Sequence, residues 1–297
     1  MTRSFLTRTL FSAWLLVAGV PGARAQAVFP TPEAGASAFV DALASSDDAA
    51  MQRVLGSDFR RFIPAHDVSQ DDVYRFLGAW SQSHEIVTEP SSGQNPAVAH
   101  VAVGTNGWTL PIPLVKTQRG WRFDPGAGRD ELLTRRIGRN ERAAMRTSLA
   151  YLDAQHDYRG LTHHYAQRLV SRPGQRDGLY WPATQGEAPS PLGPLAIAMQ
   201  QGNGAPAGGY HGYHYRILTT QGVHANGGRK SYERDGVLVD GCSLVAWPVS
   251  YGATGVMTFL VNDEGQLYQK NLGPQTARIA SRLGSFDPDG SWSPVKP

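Results

Sequence analysis

A single cysteine, Cys242, is all that the 297 residues contain, so an intrachain disulfide is excluded and stability has to come from buried apolar surface. An excess of either charge is also lacking. There are 28 Lys and Arg against 25 Asp and Glu, and three of the cations, Arg3, Arg8 and Arg24, lie in the first 25 residues, which hold no acid. Without that segment the balance is 25 against 25. A nucleic-acid partner needs a basic footprint that displaces counterions, so that class is set aside. Long apolar runs are missing too. Leu10 to Val20 falls well short of the ~20 residues of a membrane span. It stands behind Arg3 and Arg8 and ahead of Pro21-Gly22 and Ala23-Arg24-Ala25, the layout of an export leader cleaved after Ala25. The expected destination is a bacterial periplasm, with no transmembrane segment once residues 1–25 are removed and no cysteine at the cut to carry a lipid.

Catalytic and cofactor signatures are equally scarce. The sequence has no H-E-x-x-H, no cysteine pair for zinc and no G-x-S-x-G elbow. Its one S-x-x-K, Ser293 to Lys296, lies in the polar tail. Gly202-Asn203-Gly204-Ala205-Pro206-Ala207 matches a relaxed dinucleotide pattern but neither follows a strand nor opens a helix. No cofactor and no metal are expected. Cys242 falls in an apolar strand and reads as a small buried hydrophobe rather than a thiolate.

What is present points to an α+β protein in two parts, residues 26–127 and 128–297. Thr31, Pro32 and Glu33 start a helix with Ala36, Phe39, Val40 and Leu43 on one face. A second helix from about Asp47 buries Met51, Val54 and Leu55. A third opens with a Ser69 to Asp72 capping box and carries Val73, Phe76, Leu77 and Trp80. After Pro90, strands are expected over Ala97–Val103, Trp108–Lys116 and Trp121–Phe123; Pro111 and Pro113 demand an edge or bulge in the second. Residues 129–158 return to helix, with one segment ending at Gly138 and the next capped by Asn140. Met145, Leu149, Leu152 and His156 form a stripe that makes His156 a core histidine. A loop-rich stretch from Pro173 to Gly209 holds a short helix over 192–200. Antiparallel strands follow over Tyr210–Leu218, Val237–Trp247, Gly255–Val261 and Leu267–Lys270, and the polar tail is expected to fray.

Three groups of residues are candidate binding sites. Arg135, Arg136 and Arg139 surround the expected helix end and the new N-terminus at Asn140, where guanidinium groups beside unpaired amides suit a carboxylate or phosphate. Asp177, Tyr180 and Trp181 lie in an aromatic loop able to wall a cleft. His211, His214 and Arg216 belong to Tyr210-His-Gly-Tyr-His-Tyr-Arg-Ile-Leu218. On one strand, His211 and His214 point to opposite faces about 10 Å apart, so they cannot share an ion unless Gly212 inserts a bulge. His211, Tyr213, Tyr215 and Ile217 would take the half-buried face, and Tyr210, His214 and Arg216 a face toward solvent or a polar cleft. The partner expected is a small anionic ligand or an envelope protein. A second reading is a hydrolase with His211 or His214 oriented by Asp177 or Asp240, in a cleft between the two parts.

Several longer motifs, Arg135-Arg-Ile-Gly-Arg-Asn-Glu141, Pro173-Gly-Gln-Arg-Asp-Gly-Leu-Tyr-Trp-Pro182, Ser190-Pro-Leu-Gly-Pro-Leu195, Val245-Ala-Trp-Pro248 and Gly255-Val-Met-Thr-Phe259, together resemble the DUF2950 family of bacterial exported proteins. That family has no known function, so the resemblance implies no catalytic residue. Cys242 stands where the family pattern has an aromatic. The helix Ala143–Tyr158 and the strands after it are similar to a type IV pilin globular head, and the N-terminal part is similar to small NTF2-like modules. The architecture expected from the pattern of elements is N-terminal helices with a small antiparallel sheet, then a long helix packed on a C-terminal antiparallel sheet.

Overall fold

The computed structural model describes residues 25–64, 68–92, 96–183, 186, 189–199 and 208–297. The leader expected over residues 1–24 and the Gly202–Ala207 match lie outside the described residues. The chain divides into two compact units between Asp130 and Glu131. Helices and antiparallel sheets make up both, an α+β fold.

The first unit opens with α1 (Pro32–Ala44), where Thr31 accepts from the Ala34 amide and Pro32 stands at the first helical position. Next come α2 (Asp48–Leu55), capped by Asp47 on the Ala50 amide, and the short α3 (Phe59–Phe62). In α4 (Gln70–Gln82), Ser69 and Asp72 close a reciprocal capping box. The sheet holds β1 (His84–Glu89), β2 (Val98–Val103), β3 (Trp108–Thr109), β4 (Leu114–Thr117) and β5 (Gly120–Phe123), in the order β1-β2-β4-β5, with β3 beside β2. Phe39, Val54, Leu55, Val101, Leu114 and Phe123 fill the core beneath it. Two details depart from expectation. The strand expected over Trp108–Lys116 is two strands, because Pro111 and Pro113 cannot donate to a ladder; between them Leu110 and Ile112 turn into the core. The edge strand β1 has only Ile86 partly covered, so it lacks the alternation that marks a half-buried strand.

A 38-residue helix, α5 (Pro125–Thr162), leads into the second unit. Asp124 caps it, accepting from the Gly126 and Ala127 amides at 3.0 and 3.1 Å. It runs through Gly138 without interruption, against the expected break. Asn140 and Glu141, the residues expected to cap a new helix, instead bond sideways: Asn140 Nδ2 donates to the Thr254 carbonyl at 2.8 Å, and Glu141 Oε1 accepts from the Val256 and Met257 amides at 2.9 and 3.0 Å. Ala144, Met145, Ser148, Tyr151, Leu152 and Gln155 are buried. A 3.6-residue period brings Gln155 rather than His156 inward; His156 is exposed, which corrects the core reading. Gln155 donates to Tyr151 Oη and to the Ala166 carbonyl, each at 2.9 Å, and accepts from the Ala166 amide at 2.7 Å. It thereby fixes where the chain goes after the helix.

The main sheet of this unit has the order β14-β13-β12-β11-β6, comprising β6 (Tyr213–Leu218), β11 (Ser243–Pro248), β12 (Met257–Asn262), β13 (Leu267–Asn271) and β14 (Ser293–Val295). Two small ribbons pair β7 (Thr220–Gln221) with β8 (Lys230–Ser231), and β9 (Glu233–Arg234) with β10 (Val237–Leu238). Among the described residues the remaining α-helices are α6 (Leu195–Met199) and α7 (Thr276–Ala280), the second preceded by a 3₁₀ turn (Gly273–Gln275). Both faces of the sheet are covered. Tyr213, Tyr215, Leu244, Ala246, Phe259 and Val261 share a core with α5. Leu218, Val245, Trp247 and Leu260 pack with Ala280, Phe286 and Trp292, and every residue of β11 is buried. The strand expected over Val237–Trp247 is therefore two, β10 in a ribbon and β11 at the sheet's centre. The tail does not fray: Trp292 is buried and β14 pairs with β13.

The expected strand Tyr210–Leu218 begins only at Tyr213. Tyr210 and Tyr213 exchange both backbone hydrogen bonds, at 3.0 and 3.1 Å, across His211 and Gly212. Both central residues have positive φ, 52° and 72°, as a two-residue type I′ hairpin requires. A side chain at position 212 would also collide with Asn140 and Thr254, whose atoms come within 2.8 and 2.9 Å of a Cβ built there.

Candidate anion-binding site

In the second unit, a cleft of about 490 Å³ opens where the last turn of α5, the segment after it and the tip of the β9–β10 ribbon meet. Helix α5 ends at Thr162, and His163 takes a left-handed φ of 64° that turns the chain back. Tyr165 then bridges to Leu238, with its amide 2.7 Å from the Leu238 carbonyl. Residues 168–180 form a closed loop: Val170 bridges Tyr180, the Ser171 amide donates to the Tyr180 carbonyl at 2.8 Å, and the Leu179 amide donates to the Arg168 carbonyl at 3.0 Å. At the crossing, a Cβ on Gly178 would lie 2.6 Å from the Ser171 nitrogen, so only glycine allows the two chain segments to touch. Leu179 and Trp181 are buried and anchor the loop.

This loop carries Arg168, Arg172 and Arg176 into the cleft, beside Tyr158, His164 and Tyr165. Asp177 is the one carboxylate among the lining residues. Its Oδ1 accepts from the Arg172 amide at 2.9 Å, and its Oδ2 from Arg172 Nε at 2.6 Å. Arg168 Nε stands 3.4 Å from the same Oδ2. Partial burial pushes the Asp177 carboxyl upward, but the hydrogen bonds from Arg172 and its charge outweigh this and hold it below the usual carboxylate range. Arg168 and Arg172 each turn Nε toward Asp177, which leaves the terminal NH2 groups of their forks for another oxyanion. Arg176 lies over the Trp181 ring, 5.6 Å from its centre. Tyr158 Oη donates to the Arg176 carbonyl at 2.8 Å, and Arg159 Nη1 donates to Tyr165 Oη at 2.9 Å. Arg168 and Arg172 share the one carboxylate of Asp177, so this pair keeps an excess of one positive charge. Arg168 and Arg172 are 53% and 56% exposed along their side chains, so an anion reaches them from water.

Residues 26–295 match the model of a family described as a protein of unknown function, DUF2950. The chain belongs to the DUF2950 family. No curated protein and no solved structure matches it.

Of the residues singled out in this DUF2950 sequence, Asp177 lines the cleft, and Trp181 lies under Arg176 next to it. Tyr180 is partly buried in the same loop. The others lie elsewhere. Arg135, Arg136 and Arg139 stand in the middle of α5, where a continuous helix offers no terminal amides, so the anion site expected at a helix end does not form. Arg135 Nε pairs with Glu131 Oε1 at 2.6 Å. His211 is in the hairpin turn, its ring centre 4.2 Å from that of Tyr210. His214 and Arg216 do not face solvent, since the second core covers that side of β6. His214 packs against Trp247, and burial lowers its pKa. Arg216 donates to the carbonyls of Ala280 and Leu283 at the end of α7, where a cation complements the helix dipole.

The pairings expected for a hydrolase are not those observed. Asp177 is held by Arg172, and both oxygens of Asp240 accept from Arg234 Nη2 at 2.6 and 2.7 Å. Among the described residues, the histidine with a carboxylate in hydrogen-bond reach is instead His224, whose Nδ1 and amide lie 3.1 and 2.8 Å from Asp287 Oδ1. That pair clamps the loop before β8 to the C-terminal segment. Nothing in the sequence singled out Arg168, Arg172 or Arg176 beyond the four-residue intervals between them in a proline-bearing stretch that ends beside one acid.

Proposed function

We propose that this protein is an exported, non-catalytic binding module of the bacterial envelope, and that the arginine cleft of its second unit holds a small anion. One observation carries the reading: Arg168 and Arg172 each turn Nε toward Asp177 at the cleft, at 3.4 and 2.6 Å, while both side chains stay more than half exposed. Asp177 does not quench the site. It takes the Nε edges and so orients two forks, an arrangement that suits bidentate recognition of carboxylate or phosphate. The leader-like first 25 residues support export, and the order of long helix and antiparallel sheet supports the likeness to a pilin head.

Thermal unfolding against a panel of small anions tests the reading. A bound ligand stabilises by about 2.7 kcal/mol at a hundred times its Kd, a rise of roughly 5–10 °C for a chain of this size. One or more of phosphate, sulfate, citrate and a uronic acid is expected to raise Tm saturably, and Arg168→Gln with Arg172→Gln to abolish the rise. A shift that follows ionic strength alone, or is the same in the variant, contradicts it.

A further inference from the structure

A second basic feature lies on α5, away from the cleft. Arg139, Arg142 and Arg146 are exposed, and their spacing of three and four residues stacks them on one side of the helix. Arg135, one turn earlier, is partly buried and paired with Glu131, so the exposed row runs about 10 Å at 1.5 Å rise per residue. The helix cannot roll to hide this row. Ala144, Ser148, Tyr151 and Gln155, on the opposite side, are buried at 0–1% exposure, and Asn140 and Glu141 are tied to the 254–257 segment.

Helical surfaces commonly alternate acid and base, gaining a few tenths of a kcal/mol per opposite pair and losing as much per like pair. Here Arg139–Arg142 and Arg142–Arg146 are both like pairs. Acids on this side come only beyond the row, at Glu131 before it and at Asp153 and Asp157 after it. Local repulsion is thus built into a fixed, exposed face of a chain whose overall balance beyond residue 25 is zero. Guanidinium groups in a line match a plane of phosphates, and the row stands on the outer side of a helix rather than in a groove that would follow a polymer strand. No large hydrophobic residue within residues 131–150 is among the exposed ones, so contact would stop at the headgroups.

We propose that this face of α5 docks the protein on the anionic phosphates of a phospholipid bilayer. The bond is electrostatic, roughly 1 kcal/mol per arginine, and weakens as the Debye length shortens with salt.

Vesicle sedimentation tests it, using the chain from Gln26 onward, which contains every core residue of both units and omits the apolar run that would itself partition into lipid. Vesicles of phosphatidylcholine with one third phosphatidylglycerol are expected to bind the protein at 50 mM salt and release it at 300 mM. Arg142→Gln weakens binding about fivefold, and Arg139→Gln/Arg142→Gln/Arg146→Gln about a hundredfold. Gln preserves helix propensity, and circular dichroism confirms the fold. The corresponding triple Lys variant keeps most of the binding, and Arg168→Gln/Arg172→Gln keeps all of it, which separates this surface from the cleft. Equal binding to pure phosphatidylcholine overturns the proposal. So does wild-type binding by the triple Gln variant, or retention on dextran sulfate without retention on vesicles.

Discussion

Polar side chains in the second unit hold their places through bonds that the sequence does not announce. Gln155 is fully buried and serves both backbone groups of Ala166; Tyr151 Oη donates to the Ser243 carbonyl at 3.2 Å. Phenols are buried in number here. Burial raises the pKa of Tyr151, Tyr213, Tyr215 and Tyr232, and of the Cys242 thiol beside Tyr151. An acid whose pKa is raised in the folded state supports folding fully below its unfolded pKa. That support is lost as pH rises through the window above it, because only the unfolded chain ionises there. The window opens near pH 8.5 for the thiol and near pH 10 for the phenols. Stability from urea titrations is therefore expected to be level to about pH 8 and to fall steeply above pH 10. The phenolate absorbance of these four tyrosines should appear together with unfolding. Ionisation of all eleven tyrosines near pH 10 in a still-folded protein would show that these rings are not enclosed.

Elements were legible where local chemistry decides them. The caps at Thr31, Asp47 and Ser69 act within four residues, and the helices they start appear where expected. Long-range bonding governs the failures. Gly138 has the composition of a terminator, yet Asn140 and Glu141 spend their side chains on residues more than a hundred positions away, and the helix continues. Gly138→Ala tests that continuity. A mid-helix glycine costs about 1 kcal/mol relative to alanine, and a Cβ there would meet nothing closer than Arg142 Nη1 at 3.6 Å. The variant is expected to gain 0.5–1 kcal/mol in denaturant unfolding. A left-handed terminator at this position would make the same change destabilising. The turn at His211-Gly212 was hidden for a related reason: it is not one of the Asn-Gly or Asp-Gly pairs that mark a type I′ turn, and the alternation of aromatics around it imitates a continuous strand.

At the scale of the whole chain, the pattern of apolar residues conveyed the class, helices with antiparallel sheets, while the candidate site was only partly visible. Asp177 and Trp181 stood out because an acid and an aromatic sit in a conspicuous loop. Arg168 and Arg172 did not, because what gathers them is the touching of residues 170 and 178, which depends on a glycine crossing rather than on spacing. Basic residues thus occupy two separate surfaces in a chain without net charge beyond its first 25 residues, a concave one near the end of α5 and a linear one along its middle. The concave one carries the functional reading. Calorimetric titration of the tightest-binding small anion into wild-type protein and into Arg168→Gln/Arg172→Gln tests it most directly. One anion per chain, with affinity falling as salt rises and at least tenfold weaker in the variant, is the outcome this account requires. Heat of binding that is unchanged by the double substitution would contradict it.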